Sequence, residues 1–153
     1  MCTTNNNFVM IDRITDIHPF SIAGSKKFNG EFVDLAVESC AQLGAFHVRY
    51  SIDCRRHVFL IKLNSCKVLS DKYFSGEYSI IGNLLAKSTD AYSYSIILKK
   101  NNLPCMEGQF IFALADYDEQ FKADFLKGYY QKILSELLTH QTGHQPYITN
   151  VIH

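Results

Sequence analysis

The chain has 153 residues, and its 15 Lys and Arg are balanced by 15 Asp and Glu. This length suits one domain with a substantial core, and the balanced charge gives no indication of a nucleic-acid partner. No apolar run approaches the roughly 20 residues that span a bilayer, and the polar start MCTTNNN lacks the apolar segment of a secretion signal. We therefore expect a soluble, cytoplasmic, single-domain protein over residues 1–153.

The five cysteines are scattered and include no closely spaced pair. They are Cys2, Cys40, Cys54, Cys66 and Cys105. An odd number without a C-x-x-C motif favours free thiols over a disulfide framework. The His and Cys positions also lack the spacing of a metal site, so no metal is expected.

Most of the chain has the composition and alternation of strands. Runs rich in β-branched and aromatic residues predict strands over 8–17, 21–28, 58–69, 76–88, 91–98 and 105–117. Tyr92, Tyr94 and Ile96 alternate with more polar neighbours, as in a half-buried antiparallel strand. His18-Pro19 and Asn29-Gly30 are turn signals, and the second predicts a turn directly before a helix.

Two segments have helical spacing instead. The stretch EFVDLAVESCAQLGAFHVRY, residues 31–50, repeats apolar residues at intervals of three and four. Gly44 in its middle predicts close approach of another backbone. A second helix is predicted over 118–140, after the last strand. The element order therefore predicts an α+β fold in which an antiparallel sheet, with a core over about 8–117, wraps around the first helix.

Glu38 is the unusual residue of the central helix. Its chain neighbours are apolar or small, whereas a helical Glu is more often on a solvated surface. A carboxylate beside an apolar pocket can act as a general acid or base. Gln42 follows one turn later, so both side chains lie on one face and could hold one ligand. Cys40 has no paired His and is expected to be a small buried residue.

Several segments together resemble one enzyme family. MIDRITDI resembles the first-strand motif of the β-hydroxyacyl-acyl-carrier-protein dehydratases, and AVESCAQLGAF resembles their helix motif, in which a catalytic acid is followed by Ala-Gln. FLIKLNSCKVL is similar to their next strand. YFSGEYSIIGNLLAK is similar to the following turn and strand, with Gly76-Glu77 at the corner. The resemblance spans about residues 8–117.

This resemblance implies a hotdog fold and an acyl-thioester substrate. It implies that Glu38 is the catalytic carboxylate and that Gln42 helps to position the substrate. Backbone N–H groups near Phe32 and Val33 would polarise the thioester carbonyl. The acyl group would be carried on the phosphopantetheine of an acyl carrier protein or on coenzyme A, with no further cofactor. The sites would lie at the interface of a homodimer, or within a trimer of dimers.

A small basic cluster could receive the acidic carrier or its phosphate. It contains Arg55 and Arg56, with Lys62 and Lys67 on the following strand. Such a cluster is more often a solvated loop, so carrier binding by Arg55 and Arg56 is one of two interpretations.

The sequence departs from the family in its histidines. Members of the family carry a His-Phe-Pro loop before the helix, and that His is the partner base. Here residues 27–32 run directly into the helix without a His. His47 lies nine residues after Glu38 and is predicted to point to the opposite helix face. His18 and His57 are expected to be surface or loop residues, and the alternative is that one of them approaches a site in a neighbouring subunit.

Three functions therefore remain open. The chain could be a dehydratase-like enzyme of fatty-acid or polyketide-type biosynthesis, and the extent of the resemblance favours this. It could be a non-catalytic acyl- or carrier-binding subunit of an active paralogue. It could also be a hotdog thioesterase that uses Glu38 alone. The helix over 118–140 is an addition to the core that could cover the sheet, close a tunnel or form an oligomer contact.

Overall fold

The computed structural model describes residues 9–117 and 120–139, which form six strands and two helices. In chain order the elements are β1 (Arg13–His18), β2 (Ser21–Phe32), α1 (Val33–Ser51), β3 (His57–Val68), β4 (Tyr73–Lys87), β5 (Ala91–Lys100), β6 (Leu103–Ala115) and α2 (Gln120–Thr139). The predicted α+β element order is confirmed. Predictions for residues 1–8, 118–119 and 140–153 lie outside the described residues.

The six strands form one antiparallel sheet around α1. Their order is β1-β2-β4-β5-β6-β3, so β1 and β3 are the two edges. The central helix contacts β2, β3, β4, β5 and β6. Alternate residues of the inner strands point toward it and are buried, for example Tyr94, Ile96 and Leu98 on β5. The sheet therefore buries most of the helix surface.

The middle of α1 is buried on nearly every side. Ten of its residues are buried, namely Ala36 and every residue from Ser39 to Val48 except Gln42. Small side chains make this possible, because Ala41, Gly44 and Ala45 leave room for larger groups from the sheet. The predicted close approach at Gly44 is made by a side chain and not by a backbone. A Cβ there would lie only 2.7 Å from Cζ of Phe112.

The predicted turn at Asn29-Gly30 is wrong. Strand β2 continues through these residues to Phe32, and the pairing with β4 shifts between Asn29 and Glu31 as in a β-bulge. Gly30 supplies the required positive φ of 76°. A glycine of this kind fits a turn or a bulge equally well, and the partner strand decides between them. The helix consequently begins at Val33 rather than Glu31.

Gly76 shows the same effect in the neighbouring strand. The sequence predicted a strand over 76–88 with Gly76-Glu77 at the corner that opens it. In the structure β4 already begins at Tyr73. Gly76 has a φ of 102° inside that strand, opposite Phe28 of β2. Gly76 therefore has the positive φ that is typical of a corner, but the strand continues through it.

Helix α2 packs its C-terminal half onto the core. Leu134, Leu137 and Leu138 are buried, whereas Phe125 is exposed. Gln131 Nε2 donates to Oδ1 of Asp53 at 2.9 Å, which ties the helix to the loop after α1. No helix of the described ranges is long and apolar enough to cross a membrane. Of the cysteines in these ranges, all four are free thiols.

Candidate active site

A cavity of about 250 Å³ runs along one face of α1, between that helix and α2. Three polar side chains of α1 line it, namely Glu38, Gln42 and Arg49. Their spacing of four and seven residues keeps them on one helix face. The remaining wall is largely apolar or aromatic. It consists of Val9, Ala41, Ala45, Phe46, Leu60, Phe112, Tyr129, Tyr130 and Ile133.

Glu38 lines this cavity as an exposed residue. The sequence left open whether this carboxylate is solvated or enclosed by apolar groups, and in the single chain it is exposed at the edge of a mainly apolar cavity. Ser39, Cys40 and Ala41 are indeed buried. However, consecutive helical residues point about 100° apart, so apolar neighbours in the sequence do not bury the residue between them. The carboxylate is therefore reachable by solvent and by a ligand in the cavity.

Gln42 is half-buried and held in place by the chain that precedes β1. Its Oε1 accepts the backbone N–H of Met10 at 2.7 Å. Because the oxygen of the amide takes this bond, the orientation of the amide group is fixed, and its nitrogen is the end that can donate. The structure thus brings Glu38 and Gln42 to one cavity, as their spacing predicted.

Arg49 lines the same cavity, about 16 Å from Glu38 along the helix axis at 1.5 Å per residue. Its guanidinium carbon lies 3.9 Å from the centroid of the Tyr130 ring and 5.7 Å from that of Phe46. Nη2 donates to the carbonyl oxygen of Val58 at 3.4 Å. Burial lowers the pKa of Arg49, yet a guanidinium remains protonated in proteins. The site therefore has a carboxylate at one end and a cation at the other.

Phe32 and Val33 lie at the start of α1, as predicted, but outside the lining of this cavity. Phe32 has the N-cap position, and no side chain of the described residues caps the helix there. Its ring is exposed and packs edge-on against Tyr73 at 5.3 Å. The first-turn N–H groups of α1 have no partners within the helix itself.

None of the histidines in the described ranges lines the cavity. His47 is buried on another face of α1, as its spacing predicted, where its Nε2 meets the carbonyl oxygen of His18 at 2.7 Å. The His18 ring pairs with Asp16 at 2.9 Å. His57 packs against Tyr117, with ring centroids 4.4 Å apart. All three are used elsewhere in the fold.

Arg55 and Arg56 line a separate cleft near Lys87. Arg56 is committed to the fold, because it donates to the carbonyl oxygens of Thr89 and Leu114 and forms an ion pair with Asp90 at 3.0 Å. The exposed Arg55 makes one bond, from Nε to the Ile52 carbonyl oxygen. Of the two predicted carrier-binding residues, Arg55 is the one whose charge faces solvent.

Sequence reasoning missed Arg49 and the α2 residues Tyr129 and Tyr130. The spacing of eleven residues from Glu38 would have placed Arg49 on the same helix face. The sequence left open whether the terminal helix closes a tunnel, because the residues that α2 contributes depend on how that helix crosses α1. Among the described residues, no three His, Cys, Asp or Glu side chains are grouped so that they could hold a metal ion.

Comparison with known proteins identifies the fold. No family model and no curated protein sequence matches the chain. Solved structures do match it. The dehydratase heterocomplex ApeI:P from Xenorhabdus doucetiae aligns with a TM-score of 0.66 at 11% identity, over 75% of this chain and 88% of that one.

Two thioesterases are similar to a comparable degree. A mutant thioesterase from Pseudomonas aeruginosa gives a TM-score of 0.63 at 13% identity, over 74% of this chain and 86% of its own. A hypothetical thioesterase with coenzyme A from Streptococcus pneumoniae gives a TM-score of 0.61 at 8% identity, over 78% of this chain and 100% of its own. At such identities the likeness shows the fold alone. The predicted hotdog fold is confirmed, and the solved structures that match it include a dehydratase heterocomplex and thioesterases.

Proposed function

We propose that the chain binds an acyl thioester in the cavity beside α1 and hydrolyses it with Glu38 as general base. The observation that carries this proposal is the composition of the cavity. It has a reachable carboxylate at one end and a mainly apolar wall, while no histidine of the described residues lines it. An apolar wall suits an acyl chain, and a single carboxylate suffices to activate water.

In the proposed reaction, the Glu38 carboxylate removes a proton from a water molecule as the water oxygen attacks the thioester carbonyl carbon. The carbonyl oxygen becomes an oxyanion. When it re-forms the double bond, the carbon–sulfur bond breaks, and the thiolate takes the proton from Glu38. The products are a carboxylic acid and a free thiol of coenzyme A or of phosphopantetheine on a carrier protein. No other cofactor is required.

Backbone N–H groups near Phe32 and Val33 would stabilise the oxyanion. The absence of a side-chain cap among the described residues at this helix start leaves donors for a ligand. The amide nitrogen of Gln42, oriented by the bond from Met10 N–H to its oxygen, would position the substrate. Arg55 would contact a phosphate or an acidic carrier outside the acyl cavity.

Dehydration of a 3-hydroxyacyl thioester is the second candidate. It needs one group to remove the α-proton and another to protonate the departing hydroxyl. Glu38 supplies one of these groups, and a partner subunit would have to supply the other. The dehydratase neighbour is a heterocomplex, which favours this arrangement over a dehydratase acting as a single chain. In that case the chain could also be a binding subunit that leaves the chemistry to its partner.

A second copy of this chain would complete the site through β3. This edge strand is paired only on its β6 side within the described residues, and it exposes Phe59, Leu60, Ile61 and Leu63. Unpaired edges with exposed apolar residues promote strand pairing. Leu60 also lines the cavity, so a copy paired along β3 would lie beside that cavity. We therefore propose a homodimer.

The test is to follow thiol release from acyl-coenzyme A substrates, together with hydration of 2-enoyl thioesters in parallel tubes. Glu38→Gln should reduce hydrolysis by about 100-fold or more, since general-base catalysis contributes about that much. The control Glu77→Gln changes an exposed carboxylate on β4 away from the cavity and should leave the rate unchanged.

Each other outcome has a defined meaning. Hydrolysis that survives Glu38→Gln would contradict the role of Glu38. Hydration that depends on Glu38 would establish the dehydratase. Binding of acyl thioesters without hydrolysis or hydration would indicate that the chain is a non-catalytic binding subunit.

A further inference from the structure

The charge of Arg49 is not neutralised within the described residues. No carboxylate in these ranges forms an ion pair with it, although five other ion pairs are present. Its Nε is buried and lacks a hydrogen-bond partner there. Arg49 as a whole is half-buried, and charges that are removed from water in proteins are normally paired, because an unpaired one lowers stability. Such a residue is better explained by a ligand than by the fold alone.

The aromatic contacts of Arg49 orient the group without neutralising it. The Tyr130 ring covers one face of the guanidinium at 3.9 Å. Contact with a ring face leaves the N–H edge of the planar group for hydrogen bonds, and Arg has five such donors. Nη2 donates to the Val58 carbonyl oxygen at the long distance of 3.4 Å, and the Tyr130 side chain is a further hydrogen-bond partner, but neither of these partners is an anion. The remaining edge matches a carboxylate, which accepts two parallel bonds from Arg.

The position of Arg49 relative to Glu38 defines a length. Their separation of eleven positions in the helix corresponds to about 16 Å along its axis at 1.5 Å per residue. Ala41, Ala45 and Phe46 line the cavity between these ends. A ligand that fills it would therefore have a reacting group near Glu38, an apolar middle, and a terminal group near Arg49.

A second cavity on the other side of Arg49 is a poorer place for an anion. It is lined by Asp53, whose carboxylate already accepts from Gln131 and lies 3.7 Å from Lys127 Nζ. A negative side chain in that space would repel an incoming carboxylate. The Glu38 carboxylate, by contrast, is separated from Arg49 by the length of the first cavity.

We propose that Arg49 binds a carboxylate at the far end of the acyl chain, so that the preferred substrates are thioesters of dicarboxylic acids rather than of ordinary fatty acids. The inference rests on the proposed function, because it assumes that the cavity beside Glu38 holds the acyl chain. Arg49 would be a specificity-determining residue, and Tyr130 would hold its guanidinium in position.

The experiment compares binding of two coenzyme A ligands with equal carbon number, derived from hexanoic acid and adipic acid. Non-hydrolysable analogues, with a methylene between sulfur and carbonyl, allow calorimetry on the unmodified site. The wild type should bind the adipic analogue at least about tenfold more tightly, as expected for a charge-assisted bidentate contact. Longer matched pairs locate the optimal length.

The variants separate recognition from a structural role. Arg49→Gln should remove the preference, and Arg49→Lys should retain part of it. Tyr130→Leu removes the ring contact that positions the guanidinium but keeps its charge, so it should weaken the preference without abolishing it. A purely structural Arg49 predicts instead that Tyr130→Leu and Arg49→Gln behave alike. Lys132→Gln, an exposed charge on α2, is the control for net charge. Because the preference is a ratio within each variant, partial loss of stability does not affect it.

Equal binding of both analogues by the wild type, or a preference that survives Arg49→Gln, would overturn the inference. A second pair of ligands without coenzyme A, monomethyl adipate and methyl hexanoate, distinguishes failure of the carboxylate site from failure of the proposed thioester function. If the coenzyme A analogues do not bind but monomethyl adipate binds in an Arg49-dependent way, the carboxylate site stands and the thioester function falls. If none of the four ligands binds, both the carboxylate site and the thioester function are wrong.

Discussion

Nδ1 of His47 and the hydroxyl of Tyr94 lie 2.5 Å apart in the core, although 47 residues separate them in the chain. The other ring nitrogen, Nε2, faces the His18 carbonyl oxygen, which can only accept a hydrogen bond. Nε2 must therefore carry the proton, and the neutral Nδ1 accepts the O–H of Tyr94. This arrangement ties α1 to β5 and to the end of β1, and burial favours the uncharged imidazole because it lowers the pKa of His47.

The first prediction concerns the pH dependence of stability. Burial lowers the pKa of His47 from its ordinary 6.5, and the bond to His18 opposes this shift only in part. Below about pH 6.5 the unfolded chain takes up a proton that the native chain does not. The free energy of unfolding should consequently fall as the pH drops below that value. Urea unfolding at pH 7.5, 6.5 and 5.5 measures it.

Two variants isolate the contribution of His47. In His47→Gln the free energy of unfolding should fall less between pH 7.5 and pH 5.5 than it does in the wild type. At pH 7.5 it should be lower than in the wild type by about 1–3 kcal/mol, because buried hydrogen bonds are lost. His18→Gln, which alters an exposed ring, should keep the wild-type dependence. An identical pH dependence in wild type and His47→Gln would contradict the assignment.

The second prediction uses two glycines in different helices. Gly44→Ala should destabilise the protein by about 1–3 kcal/mol, because the new Cβ would lie 2.7 Å from the buried Phe112 ring. Gly128→Ala should stabilise it by about 0.5–1 kcal/mol, since a Cβ there meets nothing within 4 Å and Ala favours a helix. Thermal unfolding of both variants is the measurement, and a stabilising Gly44→Ala would show that the ring can move aside.

The third prediction separates the two neighbouring arginines. Arg56→Ala should lower stability by about 1–3 kcal/mol, because it leaves the carbonyl oxygens of Thr89 and Leu114 without this donor. Arg55→Ala should change stability little, yet it should weaken binding of an acidic carrier protein. Denaturant unfolding and carrier titration of both variants test this. Carrier binding that is lost in Arg56→Ala at full stability would reverse the assignment.

The fourth prediction concerns the β3 edge. If two copies pair along this strand, Ile61→Lys should convert the dimer to a monomer, since edge lysines oppose strand pairing. Leu103→Lys is the control, because Leu103 is also exposed but lies at the start of β6, opposite Lys100. Light scattering on the eluting protein reports the mass. A wild type that is monomeric at all concentrations would refute the proposed interface.

Part of the site could be read from the chain because helical spacing is local. Glu38 and Gln42 had to share a face, and His47 had to point away from them, whatever surrounded the helix. The exposure of Glu38 could not be read in this way. Burial depends on which surface of α1 the sheet covers, and residues distant in the chain supply that surface.

The sequence by itself determined the order of strands and helices, the central position of α1 and the residues on each of its faces. These follow from periodicity and turn chemistry within short segments. Only the tertiary structure decided that Asn29-Gly30 is a bulge, that Arg56 is committed to the fold, and that α2 encloses one cavity with Glu38 and Arg49 at its ends. The reason is that each of these depends on a partner far away in the chain, and local periodicity does not specify that partner.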